Sequence, residues 1–464
     1  MFPEETYTDR RRKLREKISS GLILIPGNHE SPMNFPDNPY PFRQDSSFLY
    51  YFGLDRPGLV ALMDLDEDRE WVFGDDMTAE EAVWAGTQMA LRQLCEKVGI
   101  VSSEPLSQVV KPLKKAKRQN RAIHILPPYR QDTSQQLSDF LGIGPSELNT
   151  RISETLIRAV VAQRSIKTQE EIEQIESALA ISRQIQVLSM QMAEPGRYER
   201  DIVGAMEGLV LAQGSRTSFP TILTVHGHIL HHHDHQNQMK DQDMVLNDSG
   251  VESPLHYASD ITRTFPVRGR FTDRQKEVYE IVLQAQEDAI GLIKPGVEFR
   301  EVHFQASLKV ANGLKDLGLM RGDVREAVQA GAYALFFPTG LGHMLGLDVH
   351  DMEGLGEDYV GYTDDIKRRS EFGWRSLRLA RALEPGFVIT VEPGIYFIPE
   401  LIGQWKQEGK FASFINYGAV DTFLGFGGIR IEDDVIVTQT GARLLGPQIP
   451  KSISEVEETC SRKT

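Results

Sequence analysis

Five side chains with the chemistry of metal ligands occur in the carboxy-terminal half of the chain. They are Asp248, Asp260, His343, Glu392 and Glu432. Hard oxygen donors with a single imidazole form a ligand set that suits two neighbouring divalent ions better than one structural zinc. Such ions activate water for attack on a carbonyl carbon. The residue types therefore predict a metal-dependent hydrolase.

The two aspartates lie on a predicted β-hairpin. Residues 243–250 have the pattern of a strand that ends at a turn, and residues 256–264 the pattern of its antiparallel return. Strand pairing would bring Asp248 and Asp260 within reach of one pair of ions. The alternative is that Asp248 only caps the turn, as aspartates often do.

The two glutamates follow apolar segments. Glu392 comes directly after residues 386–391 and before Pro393-Gly394. A carboxylate has little structural role at the end of a buried strand, which favours a ligand at this position. Arg430 and Glu432 are two residues apart in a strand-like segment, so both side chains are expected on one face. We expect a salt bridge from Arg430 that orients the Glu432 carboxylate.

The histidines fall in two segments. His343 and His350 belong to the glycine-rich residues 338–351, which lack the lysine of a phosphate-binding loop. A hydrogen-bonded core histidine is the alternative for His343. In His231-His232-His233-Asp234-His235, alternation along an extended chain would let only one alternate set enter any site, and roles for His232, His233 and His235 stay open.

Strands alternate with helices up to residue 144, which predicts an α/β domain with a mixed sheet. Beyond it, a capping box at Thr168, a long helix, a Pro-Gly pair and a second helix form a pattern that returns from Thr272 onward. Two related halves around a pseudo-two-fold axis would place a ligand site between them.

The composition restricts the function classes. A length of 464 residues predicts two or three domains, and the net charge of -15 argues against nucleic acid as a partner. The basic run 111–121 lacks interleaved aromatic residues and is interpreted as a solvated face. No apolar run reaches the roughly 20 residues of a membrane span, and the lone Cys95 and Cys460 favour a cytoplasmic location.

Four strings are highly specific when taken together: SDITRTFP, GLGHMLGLDVHD, VEPGIY and GGIRIEDD. With them the chain resembles, over nearly its whole length, the proline-specific metallopeptidases of the pita-bread fold, the family of Xaa-Pro aminopeptidase (aminopeptidase P) and Xaa-Pro dipeptidase (prolidase). The resemblance implies an α/β (α+β) fold. Residues 1–160 would form a creatinase-like amino-terminal α/β domain, and residues 161–464 a catalytic pita-bread domain with pseudo-two-fold symmetry.

The resemblance also implies roles for residues. The five candidate ligands fall on the family's ligands for two divalent ions, usually Mn²⁺, with Zn²⁺, Co²⁺ or Fe²⁺ as alternatives. His231 and His350 fall on its substrate-side histidines, and Arg430 on the arginine that supports its ligands. Glu392 would also move the proton of the attacking water. The aromatic segment 40–53 implies a homodimer or homotetramer, because the family's amino-terminal domain shapes a neighbouring subunit's site.

Some features of the sequence depart from the family's pattern, and others resemble only one of its two substrate classes. The interval from Asp248 to Asp260 has one extra residue, which a β-bulge would absorb, and Asn247 stands where an apolar residue is usual. The segment 40–44 resembles aminopeptidase P, whereas residues 375–381 and 423–428 resemble prolidase. Arg378 could pair with a dipeptide's carboxylate and exclude longer substrates, or be a surface arginine.

We therefore expect removal of the N-terminal residue from peptides with proline in the second position, with prolidase activity as the alternative. A non-catalytic peptide-binding module of the same fold is the alternative of another class. Relatives of that kind typically lack metal ligands, whereas all five are present here. Metal-free hydrolysis of the creatinase type is disfavoured for the same reason.

Overall fold

A mixed sheet organises the amino-terminal part of the chain. Its strands are β1 (Leu22–Pro26), β2 (Val60–Asp64), β3 (Arg69–Phe73), β4 (Ser102–Glu104) and β5 (Ile123–Ile125). They lie in the order β4-β3-β2-β1-β5, with β1 antiparallel to β2 and parallel to β5. Leu24, Leu62 and Trp71 of this sheet pack against Leu113 and Leu137 in one apolar core. The mixed sheet expected from the sequence is confirmed.

The helices of this part are α1 (Glu4–Lys17), α2 (Ser46–Phe52), α3 (Ala79–Ala85), α4 (Leu91–Glu96), α5 (Val110–Arg118), α6 (Gln131–Leu141), α7 (Pro145–Leu148) and α8 (Glu154–Arg164). The aromatic segment forms α2, which starts at its N-cap Asp45 and ends at Gly53 in the left-handed region (φ 61°). Every residue of α2 is buried. Within this subunit residues 46–52 serve packing, whereas Tyr40 at the start of the segment is 56% exposed.

The computed structural model describes residues 1–462, so the last two residues of the predicted second domain, Lys463 and Thr464, lie outside the described residues. The chain divides into two units. The first contains Met1–Arg164 and Gly354–Tyr359, and the second contains Ser165–Glu353 and the described residues from Val360 onward. The predicted boundary between residues 160 and 161 lies inside α8. A short helix, α14, spans Glu357–Val360.

Small antiparallel sheets form the centre of the second unit. Their strands are β6 (Arg216–Thr217), β7 (Ile222–Thr224), β8 (Met244–Ser249), β9 (Val251–Glu252), β10 (Ile261–Pro266), β11 (Val388–Val391), β12 (Gly394–Tyr396), β13 (Gly428–Arg430), β14 (Asp433–Val437) and β15 (Ala442–Leu444). The strand orders are β10-β8-β7, β11-β14-β15, β12-β13 and β6-β9. Strands β8, β10, β11 and β14 are buried along their whole length.

The helices of the second unit are α9 (Gln169–Met192), α10 (Glu199–Ala212), α11 (Asp273–Leu292), α12 (Phe299–Asp316), α13 (Val324–Ala330), α15 (Pro399–Glu408), α16 (Tyr417–Val420) and α17 (Ile453–Ser461). Capping boxes start α9 at Thr168 and α11 at Thr272, as the sequence predicts. Each long helix is followed by a Pro-Gly turn and a second helix. The repeated pattern is confirmed. None of the helices within residues 1–462 is long and apolar enough to cross a membrane.

His303 of α12 lies at the centre of an aromatic cluster. Its ring is 5.0 Å from that of Trp374 and 5.5 Å from that of Phe337, and Nε2 lies 3.0 Å from the hydroxyl oxygen of Tyr333. The side chain is fully buried, and Nδ1 has no hydrogen-bond partner among the described residues. Burial lowers the pKa of His303 to about 3. The protein therefore holds this ring neutral.

We predict that His303 makes the folded state sensitive to acid. Because its pKa in the folded state is below the ordinary value of 6.5, the unfolded chain binds more protons between these values. The contribution of the neutral His303 ring to the free energy of unfolding is complete above pH 6.5 and is lost as the pH falls toward 3. His303→Gln should reduce the acid loss of unfolding free energy by about 1 kcal/mol per pH unit in urea titrations. Equal pH dependence of both proteins would contradict this role.

Candidate metal centre

The five predicted ligands are positioned by strand ends and by one loop. Asp248 is in β8 opposite Thr262 of β10, and Asp260 immediately precedes β10. Glu392 immediately follows β11, and Glu432 lies between β13 and β14. All of them line one cavity of about 230 Å³, which His231, His350 and Arg430 also line. The structure thus brings together every predicted site residue except Arg378.

The loop that carries His343 runs along β11. The backbone N–H of Thr390 donates to the His343 carbonyl over 3.0 Å, and the N–H of Leu345 donates to that of Val388 over 2.9 Å. A Cβ at Gly342 would lie 2.0 Å from the Thr390 carbonyl oxygen. The glycine therefore allows the loop to approach β11 closely.

The imidazole of His343 faces carboxylates. Its Nδ1 lies 3.0 Å from the Met344 carbonyl oxygen and donates to it. Nε2 is therefore the unprotonated nitrogen of the neutral ring, and it lies 3.5 Å from Asp260 Oδ2 and 3.4 Å from Glu392 Oε1. Asp260, His343 and Glu432 offer ligand atoms that all lie within 4.8 Å of one another. This spacing is suitable for a common cation.

The carboxylates are difficult to bury without a cation. Asp248 Oδ1 and Asp260 Oδ1 are buried without a hydrogen-bond partner among residues 1–462. Burial and the neighbouring carboxylates raise the pKa of Asp260 and of Glu432 well above their ordinary values. Burial also raises the pKa of Glu392. A divalent cation would bind the unpaired oxygens and reduce the repulsion between the carboxylates. These residues therefore suit such ions.

Arg430 supports this group of carboxylates. It donates from Nη2 to Asp248 Oδ2 over 2.5 Å and from Nη1 to the Tyr396 hydroxyl over 2.8 Å. Its Nε donates over 3.1 Å to Thr262 Oγ1, which in turn donates to Glu432 Oε2 over 2.7 Å. The expected direct salt bridge to Glu432 is therefore wrong. Strand β13 ends at Arg430, so the alternation of faces does not extend to residue 432.

Two threonines in this network were missed by the sequence analysis. Thr262 lies two residues after Asp260, and Thr390 lies two residues before Glu392. The Thr390 hydroxyl accepts from the His343 N–H over 3.1 Å and donates to Glu392 Oε1 over 3.2 Å. The two-residue spacing from Glu392 could have identified Thr390, whereas Thr262 donates to Glu432, which is 170 residues away and which no local spacing indicates.

The remaining candidate residues lie around the cavity. The rings of His343 and His350 are 4.3 Å apart between centroids. His231 and His233 line the cavity, whereas His232 packs near His226 at 6.3 Å between centroids. The alternation expected for this tract is therefore present, although residues 231–235 form no strand. Arg378 lies in a loop outside the cavity lining and donates to Glu353.

The structure explains why an asparagine stands at position 247, and it corrects the expectation of a β-bulge between Asp248 and Asp260. Asn247 is fully buried and donates from Nδ2 to Gln186 Oε1 over 3.2 Å and to Ser189 Oγ over 2.9 Å, so it ties β8 to α9. Strands β8 and β10 pair in continuous register from Ser249–Ile261 to Met244–Pro266. The expected β-bulge is wrong. The connection accommodates its length in the turn at His256, where φ is 66°.

Comparisons with known proteins agree with this geometry. The sequence pattern of metallopeptidase family M24 matches residues 173–439, which include all five candidate ligands. The chain belongs to metallopeptidase family M24. The pattern of the aminopeptidase P amino-terminal domain matches residues 7–125. The family and the fold class expected from the motifs are confirmed, and with them a peptidase that uses metal.

Relatives of both substrate classes occur in this family. Xaa-Pro dipeptidase of Homo sapiens is 33% identical, with 97% of this chain and 90% of that protein covered. Xaa-Pro aminopeptidase of Escherichia coli K12 is 30% identical, with 98% and 97% covered. The structure of E. coli aminopeptidase P with the inhibitor Pro-Leu superposes with a TM-score of 0.80 at 28% identity, covering 99% of this chain and 98% of that one.

We predict that the Asn247 network is needed for stability of the site. Asn247→Leu leaves Gln186 Oε1 and Ser189 Oγ without their donor inside the protein. The free energy of unfolding in urea should fall by about 1–3 kcal/mol. Asn312→Leu, at an exposed position of α12, is the matched control and should change it by no more than about 0.5 kcal/mol. An Asn247 variant as stable as the wild type would contradict the prediction.

Proposed function

We propose that this protein is a metallo-aminopeptidase that removes the N-terminal residue from peptides with proline in the second position. The observation that carries the proposal is the convergence of four carboxylates and the imidazole of His343 in one cavity, together with His231 and His350. The E. coli aminopeptidase supports the same assignment through its similarity to both parts of the chain. The substrate is a peptide, and neither nucleic acid nor membrane is needed for this chemistry.

Asp248, Asp260, His343, Glu392 and Glu432 would hold two divalent ions, for which Mn²⁺ is our first choice. The donors are four carboxylates and one imidazole, a set richer in hard oxygen than structural zinc sites. When bound, such ions lower the pKa of water and polarise the scissile carbonyl. Arg430 orients Asp248 directly, and it orients Glu432 through the hydroxyl of Thr262.

Glu392 is our choice for proton transfer. Its carboxylate lines the cavity and accepts from the Thr390 hydroxyl, and a carboxylate held beside the scissile bond can take and release a proton. We assign to it the proton of the attacking water and delivery of that proton to the departing prolyl nitrogen. The amine must be protonated as it leaves, because an amide anion is a poor leaving group.

The two histidines have different hydrogen-bonding capacity. Burial lowers the pKa of His350 to about 4, so its ring is neutral near pH 7. Its Nδ1 lies 2.6 Å from Glu353 Oε2 and donates to it, which leaves Nε2 as an acceptor. His231 lines the same cavity and has no such hydrogen bond among residues 1–462. We therefore assign stabilisation of the tetrahedral oxyanion to His231 and orientation of the substrate to His350.

Selectivity for proline follows from shape and from hydrogen bonding. The bond that precedes proline is a tertiary amide without an N–H, so the site needs no acceptor at that position. Apolar side chains line the cavity beside the polar donors and offer a surface for the pyrrolidine ring: Phe219, Pro220, Ile222, Leu230 and Val349. An ordinary peptide lacks the pyrrolidine ring and would leave this apolar surface unfilled.

Xaa-Pro dipeptidase is the second candidate, because Arg378 lies beside His350 through their common partner Glu353. The human dipeptidase is also among the similar proteins. A homodimer or homotetramer stays a proposal that rests on the match of residues 7–125 to the aminopeptidase P amino-terminal domain. A non-catalytic peptide-binding module is disfavoured by the presence of all five donors. The cytoplasmic location stays a prediction.

We predict metal-dependent cleavage of both Xaa-Pro and Xaa-Pro-Yaa-Zaa, with a higher kcat/KM for the tetrapeptide. Rates are measured with Mn²⁺-loaded protein and after chelation and dialysis, and a tetrapeptide with alanine in place of proline is the substrate control. Chelation should abolish turnover. Absence of metal-dependent cleavage of either substrate would overturn the hydrolase proposal, whereas cleavage of the dipeptide alone would assign the protein as a prolidase.

We also predict that Glu392→Gln folds but loses turnover by about 10²- to 10⁴-fold, since the amide cannot take a proton. The variant keeps the size of the side chain and an acceptor for Thr390, so its thermal unfolding should stay within a few degrees of the wild type. Glu400→Gln, at an exposed position of α15, is the matched control. Wild-type turnover in the Glu392 variant would remove this residue from the mechanism.

A further inference from the structure

Glu353 connects two side chains at the rim of the cavity. Its Oε2 accepts from Nδ1 of His350 over 2.6 Å, and its Oε1 accepts from Nη1 of Arg378 over 2.5 Å. The three side chains are between 33% and 41% exposed. A carboxylate whose two oxygens each hold a different partner fixes both of them in position.

The backbone holds Glu353 in place for these contacts. The N–H of Glu353 donates to the His350 carbonyl over 3.2 Å, and Met352 between them has φ 64° in the left-handed region. A methionine adopts this conformation at some cost in energy, and such residues cluster at functional sites. The turn places the side chains of residues 350 and 353 side by side. The contact is therefore built into the loop.

The carboxylate stays ionised under ordinary conditions. Hydrogen bonding from His350, followed by the charge of Arg378, lowers the pKa of Glu353 to about 2. Because an ionised carboxylate only accepts hydrogen bonds, Nδ1 of His350 must carry a proton in both charge states of the ring. The guanidinium of Arg378 meanwhile has a negative charge against it. Any second anion at Arg378 would approach this charge closely.

We propose that Glu353 is a positioning and specificity-determining residue that orients His350 and, by holding Arg378, disfavours substrates with a free carboxylate on the proline. The inference rests on the proposed cleavage of Xaa-Pro bonds and concerns the length of the substrate. A dipeptide ends in a carboxylate, which Glu353 repels. A longer peptide has a neutral amide at the same place, which Arg378 and its surroundings tolerate.

The test compares two ligands that differ only in this charge, Ala-Pro and its C-terminal amide. Wild-type protein should prefer the amide, and Glu353→Gln should reduce the preference, expressed as a ratio of kcat/KM values, about tenfold. Misplacement of His350 lowers kcat for both ligands equally and cancels in the ratio. Glu384→Gln, an exposed carboxylate that pairs with Arg381 at 3.3 Å, is the matched control and should leave the ratio unchanged.

Two further variants separate charge from structure. Glu353→Asp keeps a negative charge beside Arg378 and should keep the wild-type preference, although its shorter side chain should lose the contact with His350 and kcat should fall. Glu353→Gln combined with Arg378→Gln should lose the gain in dipeptide cleavage seen for Glu353→Gln alone. An unchanged ratio in Glu353→Gln, a gain of equal size in Glu353→Asp, or a gain that persists without Arg378 would each overturn the inference.

Binding to chelated protein provides a readout that does not need turnover. In calorimetric titrations, Glu353→Gln should bind Ala-Pro about tenfold more tightly than the wild type, with no change for the amide. Equal affinity of both proteins for Ala-Pro would overturn the inference even if catalysis is normal. Failure of wild-type protein to cleave either ligand would instead contradict the proposed function, and the binding comparison would still decide the role of Glu353.

Discussion

The burial of four carboxylates around one cavity is the constraint on which the second unit depends. Asp248, Asp260 and Glu432 are at most 9% exposed, and the Glu392 side chain is 19% exposed. Burial and the negative charges of neighbouring carboxylates raise the pKa of Asp260. One oxygen of each aspartate lacks a hydrogen-bond partner among residues 1–462, and its burial adds a desolvation cost. A fold can maintain such a group only if fixed cations and donors offset part of the repulsion. Bound metal ions would offset the rest.

Hydrogen bonds from several strands offset the repulsion between these carboxylates. Arg430 holds Asp248 and reaches Glu432 through Thr262, while Arg263 donates to the Glu432 carbonyl and to Asp433 over 2.6 Å each. Lys451 also pairs with Asp433 at 2.9 Å. Removal of one member would leave a buried charge without its partner, which costs more than the contact itself contributes. The strand ends are thus fixed by electrostatics as well as by packing.

The parts of this site that the sequence predicts are those with local patterns. A strand-turn-strand pattern identified β8 and β10, capping boxes identified α9 and α11, and the donor types identified the ligands. Contacts distant in sequence were not predictable in this way. The partner of Arg430 is 182 residues away, and the partner of Asn247 in α9 is 61 residues away. No periodicity encodes such distances, because they are set by how the strands of separate sheets meet.

We assign substrate length to the rim of the cavity and the chemistry to its centre. Relatives of both substrate classes match almost the whole chain at similar identity, 33% for a dipeptidase and 30% for an aminopeptidase. Overall similarity therefore does not distinguish the two activities, since it is dominated by the core and the ligands that they share. The distinction requires a charge placed where the carboxylate of a dipeptide would lie. Under the role proposed for Glu353, a change in the balance of charge between Arg378 and Glu353 would change substrate length without changing any ligand.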